Sequence, residues 1–218
     1  MWQKIISAIQ QHQTFVITSH MNPDGDAVGS ELALAEHLRR LGKQVTIINS
    51  DSVPKTFRFL DPQRRAKRYA SARHNSLINS ADVIIVVDAS DGWERLGQTG
   101  KIFAQAKATK LAIDHHPDAA DFVDITVIDT EAAATAELIY QLVTTMEGEI
   151  TPAMAQALYT GLVTDTGSFR FPKTSPQTHC IAAALLTAGA DPTALYSQIY
   201  EQYPLGLVKL KGHLLQQI

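Results

Sequence analysis

The chain contains one cysteine, Cys180. A single thiol cannot close an internal disulfide or build a thiolate cluster, so any metal here must be held by histidine and carboxylate, and a reducing compartment suits the chain. Long apolar runs are also missing. The uninterrupted ones fall far short of the roughly 20 residues a membrane span needs, and Met1 to Thr14 lacks the charged-then-apolar layout of a signal peptide. The expected location is the cytoplasm, without membrane contact. There is no excess of positive charge: 19 Lys and Arg against 22 Asp and Glu leave a net charge of −3, which argues against tight nonspecific binding of long nucleic acid. No P-loop lysine motif or Gly-rich nucleotide fingerprint supports a kinase or dehydrogenase. The 218 residues, 45% hydrophobic and 19% charged, instead suit a globular protein of one or two domains with a real core.

Apolar spacing sets the organisation. Trp2, Ile5, Ile6 and Ile9 recur at helical spacing, so Trp2 to Gln11 is expected as an amphipathic helix packed on a sheet. Short β-rich runs follow at Phe15 to Ser19, Val45 to Asn49, Val83 to Asp88, Leu111 to Asp114 and Ile125 to Ile128. Helix-like stretches separate several of them, among them Ala27 to Leu41, with Val28, Leu32, Ala35 and Leu38 on one stripe and Gly42 as its stop. This alternation predicts an α/β fold with a five-stranded parallel sheet flanked by helices. After Thr130 the chain turns rich in Ala and Leu. A helix is expected over Ala132 to Met146, another opens at Pro152, and Gly189, Asp191 and Pro192 break two more, giving a mostly helical C-terminal part. Arg64, Arg65, Lys67, Arg68 and Arg73 form a basic run that reads as a solvated connecting segment, or alternatively as a rim attracting an anionic substrate. Leu205 to Ile218 reads as a helix that stops without a cap, as if the chain had been cut or continued in its parent.

Four clusters carry the chemistry: His20-Met21-Asn22-Pro23-Asp24-Gly25-Asp26, Val86-Val87-Asp88, Ile113-Asp114-His115-His116 and Thr164-Asp165-Thr166-Gly167. Three follow expected strands, and ligands of an open parallel sheet bind beyond the carboxyl ends of its strands, so these three should meet at one edge. Several carboxylates in one loop repel each other and raise each other's pKa unless cations lie between them. Asp26 can also serve as the N-cap of the helix opening at Ala27, a role compatible with metal binding. Asp88 closes an uncharged buried strand and needs a partner there, for which a bridge between metals is a candidate. Of the adjacent imidazoles, one can bind metal while the other meets a phosphate oxygen or donates a proton, with Asp114 orienting either ring. Asp165 can project from a helix end into the same cleft. Oxygen and imidazole ligands without sulfur suit Mn²⁺ or Mg²⁺ better than structural zinc, although Zn²⁺ or Co²⁺ could enter in vitro. Two such ions about 3.5–4 Å apart are a recurrent device for hydrolysing phosphate esters.

In this order the four motifs resemble those of the DHH phosphoesterases. The stretch Thr164-Asp165-Thr166-Gly167-Ser168-Phe169-Arg170-Phe171-Pro172, with Arg95-Leu96-Gly97, is similar to the branch containing oligoribonucleases of very short RNAs and phosphatases of 3′-phosphoadenosine 5′-phosphate. The resemblance implies two Mn²⁺ ions, one held by His20, Asp24 and Asp88 and the other by Asp26, Asp88, His115 and Asp165, so that Asp88 bridges. It further implies that His116 contacts the scissile phosphate, that Asp114 acts from behind the ligands, that Asn22, Arg95 and Arg170 face the substrate, and that a metal-activated water attacks phosphorus. Residues 1–200 would then be the catalytic domain and 201–218 the start of a connecting helix. That helix would lead towards a C-terminal substrate-binding domain whose glycine-rich motif this sequence lacks, since Gly212-His213 does not match it.

The expected substrate is a small nucleotide or short single-stranded RNA, with room for a homodimer. Rival readings are a cyclic dinucleotide phosphodiesterase, a single-strand exonuclease, an inorganic pyrophosphatase and a nucleotide-binding module without turnover. The missing amino-terminal sensor segment weighs against the first, and small size with acidic charge against the second. The intact ligand set weighs against the last.

Overall fold

The computed structural model describes residues 1–117 and 120–217. Strands form where β-branched and apolar residues run together: β1 (Thr14–Thr18), β2 (Gln44–Asn49), β3 (Ala66–Arg68), β4 (Val83–Val87), β5 (Thr109–Asp114) and β6 (Ile125–Ile128). They make one parallel sheet in the order β3-β2-β1-β4-β5-β6. The chain thus runs outwards from β1 to β3, then returns to pair β4 on the other side of β1. The direction of winding reverses between β1 and β4, and ligands of open parallel sheets bind beyond the carboxyl ends of the strands at such a point.

The sheet has six strands, not the five expected. The additional one, β3, lies inside the basic run read as a connecting segment. It has three residues, two of them exposed cations, and so carries no apolar alternation to announce it. Its place at the sheet edge suits that charge, because lysine and arginine there discourage pairing with another chain.

Helices cover both faces. They are α1 (Gln3–Gln11), α2 (Gly25–Arg40), α3 (Ser71–Ser80), α4 (Gly100–Gln105), α5 (Thr135–Thr145), α6 (Pro152–Asp165), α7 (Pro176–Thr187), α8 (Pro192–Tyr200) and α9 (Leu205–Leu215), with 3₁₀ segments at Lys55–Leu60 and Trp93–Thr99. Successive side chains of a strand point to opposite faces, and the core divides accordingly. Phe15, Ile17, Val83, Ile85, Val87, Leu111 and Ile113 pack with α1, α2, α5 and α6 in the larger cluster. Val16, Ile84, Val86 and Ala112 pack in the smaller one with Ile78 of α3 and Phe103 of α4. The C-terminal part is helical as expected, and Gly189, with φ +106, closes α7 before Asp191 caps α8. The final helix ends at Leu215, and Ile218, which the expected helix included, lies outside the described residues. Among the described residues no helix is long and apolar enough to cross a membrane.

Candidate metal centre

The loop after β1 is held by its own carboxylate. Asp24 is extended, and its Oδ1 accepts from the backbone N–H groups of Asp26 and Ala27 at 3.0 Å each, so Asp24 is the N-cap of α2. The cap expected of Asp26 therefore falls to Asp24, which starts the helix two residues early and frees the Asp26 side chain. Asn22 sits in the left-handed region with φ 54, and its N–H donates to Asp51 Oδ2 at 2.9 Å. His20 is buried; its Nδ1 meets the carbonyl of Met21 at 2.9 Å, which leaves Nε2 3.4 Å from Asp88 Oδ2 and 3.9 Å from Asp24 Oδ1.

Asp88 follows β4 directly. Its N–H still donates to Ile113 O at 3.0 Å, but the backbone turns left-handed, with φ 58, and puts the buried carboxylate among three imidazoles. Besides His20, Oδ1 lies 3.8 Å from His115 Nε2 and 3.6 Å from His116 Nδ1, and it accepts from Thr135 Oγ1 at 3.0 Å. A non-glycine residue in this conformation is uncommon and is retained where the surroundings over-determine it.

Asp114, the last residue of β5, organises the histidine pair. Its Oδ1 accepts from the N–H of His115 at 2.7 Å and from His116 Nδ1 at 2.8 Å, while Oδ2 accepts from the N–H of Ser90 at 2.6 Å. Burial opposes its charge, but these donors, led by the His116 ring, hold the carboxyl well below the usual range. The same bond is the main cause that raises His116 above the ordinary imidazole value.

Asp26 and Asp165 come from helices. Asp26 lies at the start of α2, where Oδ2 accepts from the N–H of Thr135 at 2.7 Å and Oδ1 from that of Ala136 at 2.8 Å, tying it to the first turn of α5. Asp165 ends α6. The two helices approach closely because glycine faces glycine: a Cβ at Gly29 would stand 2.2 Å from the carbonyl of Ala157, and one at Gly161 would stand 2.7 Å from Asp26 Oδ1. Beyond Asp165 the turn is locked by three successive left-handed residues, Gly167, Ser168 and Phe169, and by Thr166 Oγ1 accepting from the N–H of Phe169 at 2.9 Å.

His115 joins these groups. Its Nδ1 meets the carbonyl of Ala132 at 3.3 Å, and Nε2 points at Asp165 Oδ2 (3.2 Å), Asp88 Oδ1 (3.8 Å) and Asp26 Oδ2 (3.9 Å). Buried, Nε2 has no hydrogen-bond partner among the described residues. His20 and His115 thus share one design, in which a backbone carbonyl fixes Nδ1 and Nε2 is presented to carboxylates, the orientation of a metal-ligating imidazole. Ligand atoms within 4.8 Å of one another form the sets His20–Asp24–Asp88, Asp26–His115–Asp165 and Asp88–Asp114–His115–His116.

The titration behaviour fits a site built for cations. Burial first, and then the charges of Asp88, Asp165 and Asp24, push Asp26 well above the carboxylate range. Asp165 is raised to about 6 by burial, with Asp88 and Asp24 adding to it against His115. Burial disfavours a charged His20, but the hydrogen bond to Asp88 and the Asp88 charge overcome it and raise the ring to about 9. So many acidic groups cannot all ionise at this spacing without positive charge among them, and divalent ions on oxygen and imidazole ligands would supply it.

Of the residues expected at the site, His20, Asp24, Asp26, Asp88, Asp114, His115, His116 and Asp165 come together. Asn22, Arg95 and Arg170 do not join the cluster; Asn22 stands in the loop after β1, Arg95 in the 3₁₀ segment Trp93–Thr99 and Arg170 in the turns after α6. Arg95 Nε lies 3.4 Å from Asp91 Oδ1, while its carbonyl accepts from the N–H of Met21 at 2.7 Å; Arg170 Nε donates to Gly167 O at 2.7 Å. Sequence reading missed Thr135, whose hydroxyl and N–H reach Asp88 and Asp26, and Ser90, whose N–H holds Asp114. It also missed a buried chain of polar groups beneath His20. There Glu31 Oε2 accepts from Asn49 Nδ2 at 2.8 Å, and Asn49 Oδ1 accepts from the N–H of Ser19 at 3.2 Å. A glutamate within an otherwise apolar helical stripe was the available signal.

Comparison with known proteins agrees with this geometry. The model of the DHH family, N-terminal domain, matches residues 14–162, and the chain belongs to that family. It is 30% identical over 99% of its length to the bifunctional oligoribonuclease and PAP phosphatase NrnA of Bacillus subtilis, covering 66% of that protein. It is 29% identical over 93% of its length to the protein of the same name from Thermus thermophilus, covering 58% of it. The chain thus spans less than two thirds of the length of these relatives. A crystal structure of an exopolyphosphatase-related protein from Bacteroides fragilis superposes with a TM-score of 0.93 at 30% identity, covering 98% of this chain and 64% of that one. A putative family II inorganic pyrophosphatase of Methanococcus jannaschii shares the fold, with a TM-score of 0.62 at 20% identity.

Proposed function

We propose that this chain is a metal-dependent phosphoesterase that hydrolyses small nucleotides, namely short oligoribonucleotides and 3′-phosphoadenosine 5′-phosphate, with two Mn²⁺ ions held by His20, Asp24 and Asp88 and by Asp26, Asp88, His115 and Asp165. The observation that carries the reading is the unpartnered, buried Nε2 of His115, aimed at Asp165, Asp88 and Asp26 at the reversal point of the sheet. The printed activities of the NrnA relatives support the substrate class.

Bound there, divalent ions would acidify a water and neutralise phosphate charge. The residues do the rest. Asp88 reaches towards both ligand sets, so its carboxylate fixes their spacing. Asp114 occupies Nδ1 of His116 and turns Nε2 outwards on a side chain that is 44% exposed. Because Asp114 also favours the protonated ring, Nε2 carries a proton to donate to a phosphate oxygen where negative charge develops.

The test is turnover of a substrate panel by the purified protein in Mn²⁺: ribodinucleotides to ribopentanucleotides, 3′-phosphoadenosine 5′-phosphate, a cyclic dinucleotide, single-stranded DNA and pyrophosphate. Hydrolysis of the first two classes, abolished by chelation and restored by Mn²⁺ better than by Ca²⁺, is expected. Full turnover in excess chelator, or preference for any other member of the panel, would refute the reading.

A further inference from the structure

The basic run contributes to more than a sheet edge. A cavity of about 390 Å³ opens beside β3, lined by Ser52, Val53, Arg58, Asp61, Pro62, Arg64 and Ala66. Its wall carries two cationic side chains, Arg58 and Arg64, and one acidic one, Asp61. Among the described residues, the arginines with a carboxylate partner are Arg40, Arg65 and Arg95, so the guanidinium groups of Arg58 and Arg64 have none. The one acidic wall residue, Asp61, is buried and occupied, with Oδ1 accepting from the N–H of Arg65 at 2.8 Å and Oδ2 from that of Ala66 at 2.9 Å. Arg64 is held in the left-handed region with φ 52, and its N–H donates to Asp61 O at 3.0 Å, so the turn that carries it is fixed.

The cavity is also connected to the catalytic edge. Ser52 follows Asp51, whose Oδ2 takes the N–H of Asn22 in the loop that presents His20 and Asp24. On the same segment, Ser50 Oγ accepts from the N–H of Gln98 at 3.3 Å and sits against Gly97, where a Cβ would stand 2.8 Å from it. Residues 50–53 therefore link the two, with Asp51 bonded to the metal-ligand loop and Ser52 and Val53 lining the same cavity as Arg58 and Arg64.

We infer that this cavity is a phosphate subsite, in which Arg58 and Arg64 hold a phosphate of the bound nucleotide chain other than the one being cleaved. The inference rests on the phosphoesterase reading above and adds to it a grip for substrates carrying more than one phosphate. Guanidinium groups match phosphate oxygens geometrically and stay charged when partly desolvated, which suits them to this task.

Binding and turnover are measured separately. In Ca²⁺, binding of a fluorophore-labelled ribotrinucleotide is followed by anisotropy over a range of salt concentrations; in Mn²⁺, hydrolysis of the trinucleotide and of bis(p-nitrophenyl) phosphate is followed. In Arg58→Ala/Arg64→Ala, trinucleotide affinity should fall about tenfold, with the salt slope shallower by about 0.7, the contribution of one single-strand phosphate. Turnover of the chromogenic diester should not change. Arg58→Lys/Arg64→Lys should regain part of the affinity, since both side chains are exposed and neither change touches the core. Unchanged trinucleotide affinity in the double alanine variant, no measurable trinucleotide binding by the wild type, or inorganic phosphate competing as well as the trinucleotide would each overturn the subsite. If the wild type binds the trinucleotide through these arginines but hydrolyses no ester, the phosphoesterase reading falls and the subsite stands.

Discussion

Replacing Asp114 by asparagine removes one charge and no atoms of bulk, which makes it the sharpest probe of how the histidine pair is held. Asp114 is 1% exposed and accepts from Ser90 N (2.6 Å), His115 N (2.7 Å), His116 N (3.2 Å), His116 Nδ1 (2.8 Å) and Thr135 Oγ1 (3.4 Å). An amide cannot meet this set in either orientation. With its NH₂ towards Ser90 it faces one backbone N–H; turned round, it faces those of His115 and His116. A buried donor left unsatisfied costs about 1–3 kcal/mol, and weakening the charge-assisted bond to His116 adds a comparable amount. The sum is about 3 kcal/mol, a fall in Tm of about 6–12 °C for a chain of this size. The second readout is the pH–rate profile. Asp114 raises the His116 pKa, so in the variant the proton is lost at lower pH and the alkaline limb of activity on a chromogenic ester should move towards acid. Calorimetry and the profile together test the argument, and a Tm within about 1 °C of wild type with an unmoved limb would refute it.

Asp88→Asn should lower turnover a thousandfold or more, about 4 kcal/mol of transition-state stabilisation, because Asp88 serves both proposed metal positions; if metal content and rate survive, Asp88 does not bridge. Asp26→Asn should cost less rate, yet it should lower Tm, since Asp26 also holds the N–H groups of Thr135 and Ala136; an unchanged melt would contradict that anchoring. His115→Ala should lose bound metal, whereas His116→Ala should keep it and turn over slowly, and elemental analysis showing equal loss in both would mean the two imidazoles have been assigned the wrong way round. Metal affinity should weaken as pH falls through about 6, because Asp165, raised to about 6, and Asp26, raised by burial and its acidic neighbours, must release protons before they can ligate. Isothermal titration of Mn²⁺ at pH 5.5 and 7.5 that gave equal affinities would dispose of that argument.

Strand-end placement of the acidic clusters was legible in the sequence because the preceding runs, such as Val83–Val87, are uniformly apolar and cannot be mistaken for surface helix. The edge strand Ala66–Arg68 was not, since its existence depends on pairing with Ile47, Ile48 and Asn49 rather than on any pattern of its own. The helix cap shows a different limit. Asp24 and Asp26 are equivalent as candidates on paper, and only the structure, where Asp24 Oδ1 accepts from the N–H groups of Asp26 and Ala27, shows that the helix already runs at residue 25. Thr135 and Ser90 were invisible for a related reason: each contributes backbone N–H or a hydroxyl across 21 or more residues of chain, and such contacts leave no local trace. Arg95 and Arg170 were expected to face the substrate; what sequence could not give was their local neighbours, Asp91 Oδ1 3.4 Å from Arg95 Nε and the Gly167 carbonyl that accepts from Arg170 Nε.

The proposed ligands are scattered from His20 to Asp165, and Asp26 meets Asp165 only when α6 docks against α2 through Gly29 and Gly161. During synthesis the amino-terminal half emerges with His20, Asp24, Asp26 and Asp88 but without the groups that complete the second ligand set and without the N–H groups of Thr135 and Ala136 that bind the Asp26 carboxylate. A nascent chain would therefore offer cations at most the first set, His20, Asp24 and Asp88, while the second would wait for the long-range docking of α6. If the proposed ligands bind metal, the choice of the second ion would in this way be deferred to the finished fold, where spacing and rigidity can discriminate among ions.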